Sequence, residues 1–391
     1  MSNAYFEFSC PVRILSGRAA LANLPYELRQ LGAKKPMIVT DKGIVKAGLL
    51  ERLMEVFVGE DIQPCAVFDE TPPDSSDKVV DAAAKLYLKN GCDALVALGG
   101  GSVLDTAKGI NIVVSEETDD LLELQGVDRV QGPMEPFIAI PTTAGTGSEV
   151  TCVAVISNVD AGVKMAFVSN RLYPDVAILD PVMTQTVPPK ITAATGMDAL
   201  THAVEAVICL QKNPVSDSFA FAAIRLIRDN LETAVTKGSS PDARIAMANA
   251  ALLAGIAFSN SMVGNIHAMA HACGGVAHVP HGVANSILMP VGMTFNLPKA
   301  AGYIAQLCES MGISVEGKDE QARAKAAIDW VRDMQKTMHK ACGLPMKLSD
   351  AGVKEDQLET IATLAADDGA VTYNPEEFTR EDALKLLKQA F

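Results

Sequence analysis

The sequence predicts an α/β half built on a parallel sheet, residues 1–186, followed by an all-helical half, residues 187–391. Three observations predict it. Short apolar, β-branched runs such as Met37-Ile38-Val39 and Ala94-Leu95-Val96-Ala97-Leu98 alternate with helix-period stretches, the pattern of strand, crossover helix and parallel strand. After Lys190 the periodicity becomes helix after helix. Between Arg244 and Lys299 there is no Asp, Glu, Lys or Arg, yet four of the chain's six histidines lie there. A segment so poor in charge belongs in the core of a large domain.

In order, a loosely alternating run over residues 5–15 predicts an early strand or hairpin, and a helix follows over residues 18–31. Strands are expected at 36–41, 65–68, 94–98, 138–141, 150–157, 165–168 and 177–180, with helices at 42–59 and 77–90. Pro181, Pro188 and Pro189 punctuate the boundary between the halves. Helices are then expected over residues 191–209, 215–236, 241–259, 265–273, 281–295, 299–311, 320–341, 354–365 and 380–389.

With 391 residues the chain can build two domains with ample core. Its formal net charge of −14, with no basic run, argues against nucleic acid or an anionic membrane surface as partner. A membrane span is also unexpected, because Ser259, Asn260, Ser261, Gly264, Asn265 and His267 interrupt every apolar window before about 20 residues are reached. The eight cysteines contain no CxxC pair and read as free thiols of a reducing compartment. No basic region leads into an apolar one at residues 1–15, so the cytoplasm is the expected location.

The strand ending at Leu98 runs into Gly99, Gly100, Gly101 and Ser102. Glycines there open bare backbone N–H groups at the positive end of a helix, where a pyrophosphate fits; a tight turn without ligand is the other reading. Ser102 is expected to cap that helix, with Asp105 three residues on completing a capping-box-like pair. Residues 142–149, TTAGTGSE, form a loop of hydroxyls and glycines that either bonds ribose or phosphate or only turns the chain.

His267 and His271 are four apart and so share one helix face, and His281 opens the next helix after Pro280. Buried imidazoles need partners for both nitrogens, and one metal ion satisfies several at once. Asp198 and His202 form a second four-apart pair. Asp198, His202, His267 and His281 together make a one-carboxylate, three-imidazole set suited to iron, zinc, manganese or cobalt rather than calcium or magnesium.

Read together, GGGSxxDxxK, PTTAGTGSE, TGMDALTHAVEA and HAMAHxxGGxxxxPHGVAN resemble the iron-containing (group III) alcohol dehydrogenases, in the superfamily that includes dehydroquinate synthase. The resemblance covers essentially the whole chain. It implies an N-terminal dinucleotide-binding α/β domain, a C-terminal helical domain, and NAD with Fe²⁺, or alternatively Zn²⁺, held in a cleft. By resemblance the metal ligands are Asp198, His202, His267 and His281, and His271 is an active-site residue beside the metal. Cofactor contacts fall on Gly99, Gly100, Gly101 and Ser102 for the pyrophosphate and on Thr142, Thr143 and Thr146 for ribose and nicotinamide. They continue with Asp41 for the adenosine ribose and with Lys164. A carboxylate at position 41 favours NAD over NADP, because it would repel a 2′-phosphate. The chain departs from many relatives at Pro73, Asp74 and Ser75, where they carry Asn-Pro, and at His278, which is expected at the substrate mouth rather than as a ligand.

The activity expected is reversible hydride transfer between a small primary alcohol or diol and NAD. Phe258, Val153 and Cys273 are expected near the substrate, and His271 is expected to pass the released proton outward. The alternatives are a non-redox lyase of the dehydroquinate synthase type and a nucleotide-binding module without catalysis. A homodimer is expected, paired through the early strand.

Overall fold

The computed structural model describes residues 5–160 and 163–391. The chain forms two compact units. One is Cys10–Thr186; the other joins residues 5–9 to Val187–Phe391.

In the first unit the strands are β1 (Arg13–Ser16), β2 (Pro36–Val39), β3 (Ala66–Phe68), β4 (Ala94–Gly99), β5 (Gly126–Val127), β6 (Phe137–Pro141), β7 (Val153–Asn158), β8 (Val163–Val168) and β9 (Val176–Leu179). The helices are α1 (Leu24–Gln30), α2 (Lys42–Lys46), α3 (Leu49–Glu55), α4 (Asp77–Asn90) and α5 (Gly101–Glu116). Six strands form a parallel sheet in the order β1-β9-β6-β4-β2-β3. Period-two alternation divides its side chains between two cores. Met37, Val39, Leu95 and Ala97 pack with Val80, Ala83, Val103 and Ala107 of α4 and α5. Ile38, Val96 and Leu98 pack on the opposite face with Leu24, Leu28, Leu49 and Leu53 of α1 and α3. Burial on both faces explains why β2 and β4 read as continuous apolar runs.

Three expectations need correction. The early strand is only Arg13–Ser16, because residues 5–9 leave this unit. β7 and β8 do not extend the parallel sheet; they pair antiparallel with each other and, with β5, make a separate three-stranded sheet. Gly100, not Ser102, is the N-cap of α5: the helix starts at Gly101, directly after β4 ends at Gly99, so Ser102 is already its second residue.

In the second unit the helices are α6 (Pro189–Ile208), α7 (Pro214–Thr236), α8 (Pro241–Ser259), α9 (Asn265–Ala277), α10 (His281–Phe295), α11 (Leu297–Ser310), α12 (Glu320–Cys342), α13 (Leu358–Ala366) and α14 (Arg380–Ala390). Asn213 caps α7 with a full capping box, preceding Pro214 at the first helical position. Near its start α10 lies against α6 backbone to backbone: a Cβ on Gly282 would stand 2.4 Å from the Ala194 carbonyl oxygen. Glycine is what lets the two helices come this close. Residues 5–9 are fastened here, with Phe8 stacked on Phe219 and Ser9 exchanging backbone hydrogen bonds with the Asn260 amide. Among the described residues, no helix is long and apolar enough to cross a membrane.

Candidate metal centre and cofactor loops

α6 carries Asp198 and His202 one turn apart, α9 carries His267, and α10 begins at His281. One ligating atom from each of these four side chains lies within 4.8 Å of every other. Asp198, His202 and His267 are buried and His281 is half-buried. Three imidazole nitrogens and one carboxylate oxygen are the donor set of a divalent transition metal, so the residues fit iron or zinc.

Neighbouring side chains fix how these groups point. Glu205, three residues after His202 on α6, is itself buried. Its Oε1 accepts from the Ile266 backbone N–H at 2.8 Å, and its Oε2 lies 2.5 Å from His267 Nδ1. That contact assigns the proton to Nδ1 and leaves the Nε2 lone pair for the centre. Burial pushes the Glu205 carboxyl up to about 7. Burial, followed by His202 and His281, holds His267 well below the usual imidazole range, so it is neutral and ligand-ready. Burial would raise Asp198, but His202, His281 and His267, together with the Asn285 amide, carry it below the ordinary carboxylate value. Asn285 Nδ2, one turn along α10 from His281, donates to Asp198 Oδ1 at 2.7 Å and lies 3.1 and 3.0 Å from His267 Nε2 and His281 Nε2.

His271 lies beside this cluster, its ring stacked on that of His281 with centroids 5.3 Å apart. Its Nδ1 is 2.8 Å from Asp368 Oδ2, and 42% of its side chain is exposed. Burial would raise the Asp368 carboxyl, but the His271 hydrogen bond brings it below its ordinary value. Phe258 on α8 stacks on His202 at 4.3 Å. Cys273 is fully buried on α9. His278 ends α9 in the left-handed conformation, with φ 54°.

In the α/β unit, three adjacent parallel strands deliver the cofactor candidates to one edge of the sheet. β2 leads through Thr40 to Asp41, β4 into the glycine loop and β6 into Thr142, all at the carboxyl ends where ligands bind in such sheets. Thr142 N–H donates to the Gly99 carbonyl at 3.0 Å. The two loops are packed against each other. A Cβ on Gly101 would stand 2.9 Å from Thr146 Cγ2, and one on Gly100 3.2 Å from Thr143 Oγ1. Asp41 caps α2 by accepting from Ile44 N–H at 2.9 Å through Oδ1. Ser102 Oγ accepts from the Asp74 N–H, and Lys164 on β8 pairs with the Asp74 carboxylate at 3.4 Å. The Pro73-Asp74-Ser75 departure is therefore tied to two of the expected contact residues.

Sequence reasoning passed over the group that holds the hydroxyl loop in place. Lys108 on α5 is fully buried, and its Nζ donates to Ser148 O and Oγ, Thr151 O and Oγ1, and Val153 O, at 2.8 to 3.1 Å. Asp105, one turn earlier, accepts from Ser148 Oγ and Val155 N–H. So α5 grips the segment that follows the hydroxyl loop, and Val153, expected near the substrate, gives its carbonyl to this network. Glu205, Asn285 and Asp368 were likewise unassigned; Glu205 and Asn285 carried a local signal, their helical spacing from His202 and His281, and Asp368 carried none.

A family model described as iron-containing alcohol dehydrogenase matches residues 11–181, and that of the C-terminal domain of the same family matches residues 192–391. The 1,3-propanediol dehydrogenase of Klebsiella pneumoniae is 39% identical, covering the whole of both chains. The NAD-dependent methanol dehydrogenase of Bacillus methanolicus is 38% identical, covering 98% of this chain and 99% of its own. A crystal structure of 1,3-propanediol oxidoreductase superposes with a TM-score of 0.95 at 38% identity, covering 99% of this chain and all of that one. These likenesses favour neither the non-redox lyase nor the module without catalysis. The chain belongs to the iron-containing alcohol dehydrogenase family, metal-dependent enzymes that interconvert alcohols and aldehydes with NAD.

Proposed function

We propose that the enzyme oxidises, reversibly, short uncharged primary alcohols and diols, with Asp198, His202, His267 and His281 holding ferrous iron. The observation that carries this reading is the convergence of those four donors to within 4.8 Å. The relatives named for 1,3-propanediol and methanol support the substrate class. When bound, the metal supplies Lewis acidity at the alcohol oxygen and NAD supplies the hydride acceptor.

The chain's own residues do the rest. Glu205 holds His267 in the tautomer that presents Nε2. The N–H groups at the start of α5, around Gly99, Gly100, Gly101 and Ser102, hold the pyrophosphate. Thr142, Thr143 and Thr146 bond the ribose and nicotinamide side, with Lys164 contributing a charge. Asp41 takes the adenosine ribose hydroxyls with the oxygen not used to cap α2, which favours NAD over NADP. His271, oriented by Asp368 and partly exposed, carries the alcohol proton to solvent. Phe258, stacked on His202, gives the substrate an apolar wall.

The enzyme works in the cytoplasm as a homodimer. Its eight cysteines are free thiols, and β1, at the edge of the six-stranded sheet with Ile14 exposed, offers a strand for pairing with a second copy. Sedimentation gives the oligomeric state. The decisive assay is anaerobic: metal-stripped enzyme is supplied with Fe²⁺ or Zn²⁺, and NADH absorbance is followed with short alcohols, diols and glycerol. NADH formation that requires metal and is lost in His267→Ala supports the reading. Turnover that survives complete metal removal would overturn it.

A further inference from the structure

We propose that Cys65 and Cys92 are a modification site, a thiol pair that closes to a reversible disulfide under a thiol oxidant such as oxidised glutathione. Their sulfurs lie 2.6 Å apart, in direct contact. Each residue lies just before a strand of the parallel sheet, Cys65 immediately before β3 and Cys92 two residues before β4, the two strands that flank β2. Both backbones are pinned there. Cys65 N–H donates to the Pro36 carbonyl at 3.0 Å, and Cys92 N–H to the Tyr87 carbonyl at 3.1 Å. Asp93 then clamps the turn before β2: its N–H donates to the Lys35 carbonyl and its carboxylate accepts from Lys34 and Lys35 N–H. The sulfurs therefore meet without any search by the chain. Both residues are half-buried, which leaves them within reach of a small oxidant.

The chemistry balances with the oxidant named. One thiolate attacks a sulfur of the glutathione disulfide, breaking its S–S bond and releasing one glutathione. The neighbouring thiol gives up its proton and attacks the resulting mixed disulfide, forming the Cys65–Cys92 bond and releasing the second glutathione. Two protein thiols are oxidised and one glutathione disulfide is reduced. Burial, then the contact with Cys65, pushes the Cys92 thiol up to about 12, so the Cys92 thiolate becomes more available as pH rises.

The new bond would tie the two ends of the β3-α4-β4 crossover at the amino ends of the strands. The glycine loop is at the carboxyl end of β4, about 20 Å of strand away. NAD binding is thus expected to be unaffected.

The test is incubation of the holoenzyme in oxidised and reduced glutathione mixtures at pH 8, followed by thiol counting after unfolding and mass analysis of unreduced peptides. The expected result is a fall from eight thiols to six, one cross-linked peptide pair containing Cys65 and Cys92, and full recovery on adding dithiothreitol. The melting temperature should rise by roughly 5 °C or more on closure, because a loop is constrained in the unfolded chain. Cys65→Ser and Cys92→Ser should each lose both the cross-link and the rise. Retention of eight thiols, arrest at a glutathione adduct, or a cross-link that persists in Cys65→Ser would overturn the proposal.

Discussion

At the scale of single residues, the metal cluster depends on a side chain that touches no metal. Glu205 accepts from His267 Nδ1 and from the Ile266 backbone, so its charge and its position are both used. Glu205→Gln should weaken metal binding by on the order of 10- to 100-fold, read as faster metal loss to a chelator with an unchanged circular dichroism spectrum. Unchanged retention would show that the carboxylate only fills space. Glu149 makes a different prediction. It is buried near Lys108, and burial raises its carboxyl to about 7 from an ordinary 4.5. Between those two values the unfolded chain has released this proton while the folded chain keeps it. The stabilisation is therefore complete below about pH 4.5 and is lost as pH rises through 7, up to about 3 kcal/mol. Glu149→Gln should flatten the slope of melting temperature against pH across that window. An identical slope in the variant would remove Glu149 as its cause.

At the scale of elements, the carboxyl edge of the sheet, proposed to take the cofactor, carries two loops in close contact. Gly101→Ala would drive a methyl group to 2.9 Å from Thr146 Cγ2, so the hydroxyl loop must move. The expected outcome is a rise in KM for NAD of about tenfold or more, the worth of one or two displaced hydrogen bonds, with metal content unchanged. Restoration by a further Thr146→Ser would identify the crowding as the cause. Much of this edge was legible in the sequence. Four-apart pairs on a helix and a glycine run at a strand end announce themselves through local spacing, which is why Asp198, His202, His267, His281 and the glycine loop could be chosen together. What spacing does not carry is pairing between distant segments. Asp368 comes to His271 across 97 residues, and Lys108 reaches carbonyls more than forty residues away. The strand signal over residues 150–168 was real, but which sheet those strands joined depended on β5, only two residues long and invisible to a period-two reading. The cap of α5 was misplaced by two residues because a bare glycine backbone served where a hydroxyl was expected.

For the whole molecule, metal held by Asp198, His202, His267 and His281 is expected to act as a folding ligand as well as in catalysis. All four donors lie in the helical unit, so metal present at a thousandfold above Kd should stabilise that unit by about 4 kcal/mol. That corresponds to on the order of 10 °C in its melting temperature. Calorimetry of the stripped and the reconstituted enzyme measures it, and superimposable traces would mean that the metal does not bind the folded chain in preference to the unfolded one. The course of the chain bears on how this unit is assembled during synthesis. Residues 5–9 leave the ribosome well before the helices they pack on, and Ser9 waits for Asn260, 251 positions later. At ribosomal rates of roughly 5 to 20 residues per second, that is about 10 to 50 seconds during which Phe8 has no Phe219 to stack on. A nascent chain thus carries an exposed aromatic segment until the helical unit is made, through the synthesis of the whole α/β unit and beyond it, and in that interval a chaperone or a bulky amino-terminal fusion tag can compete for it.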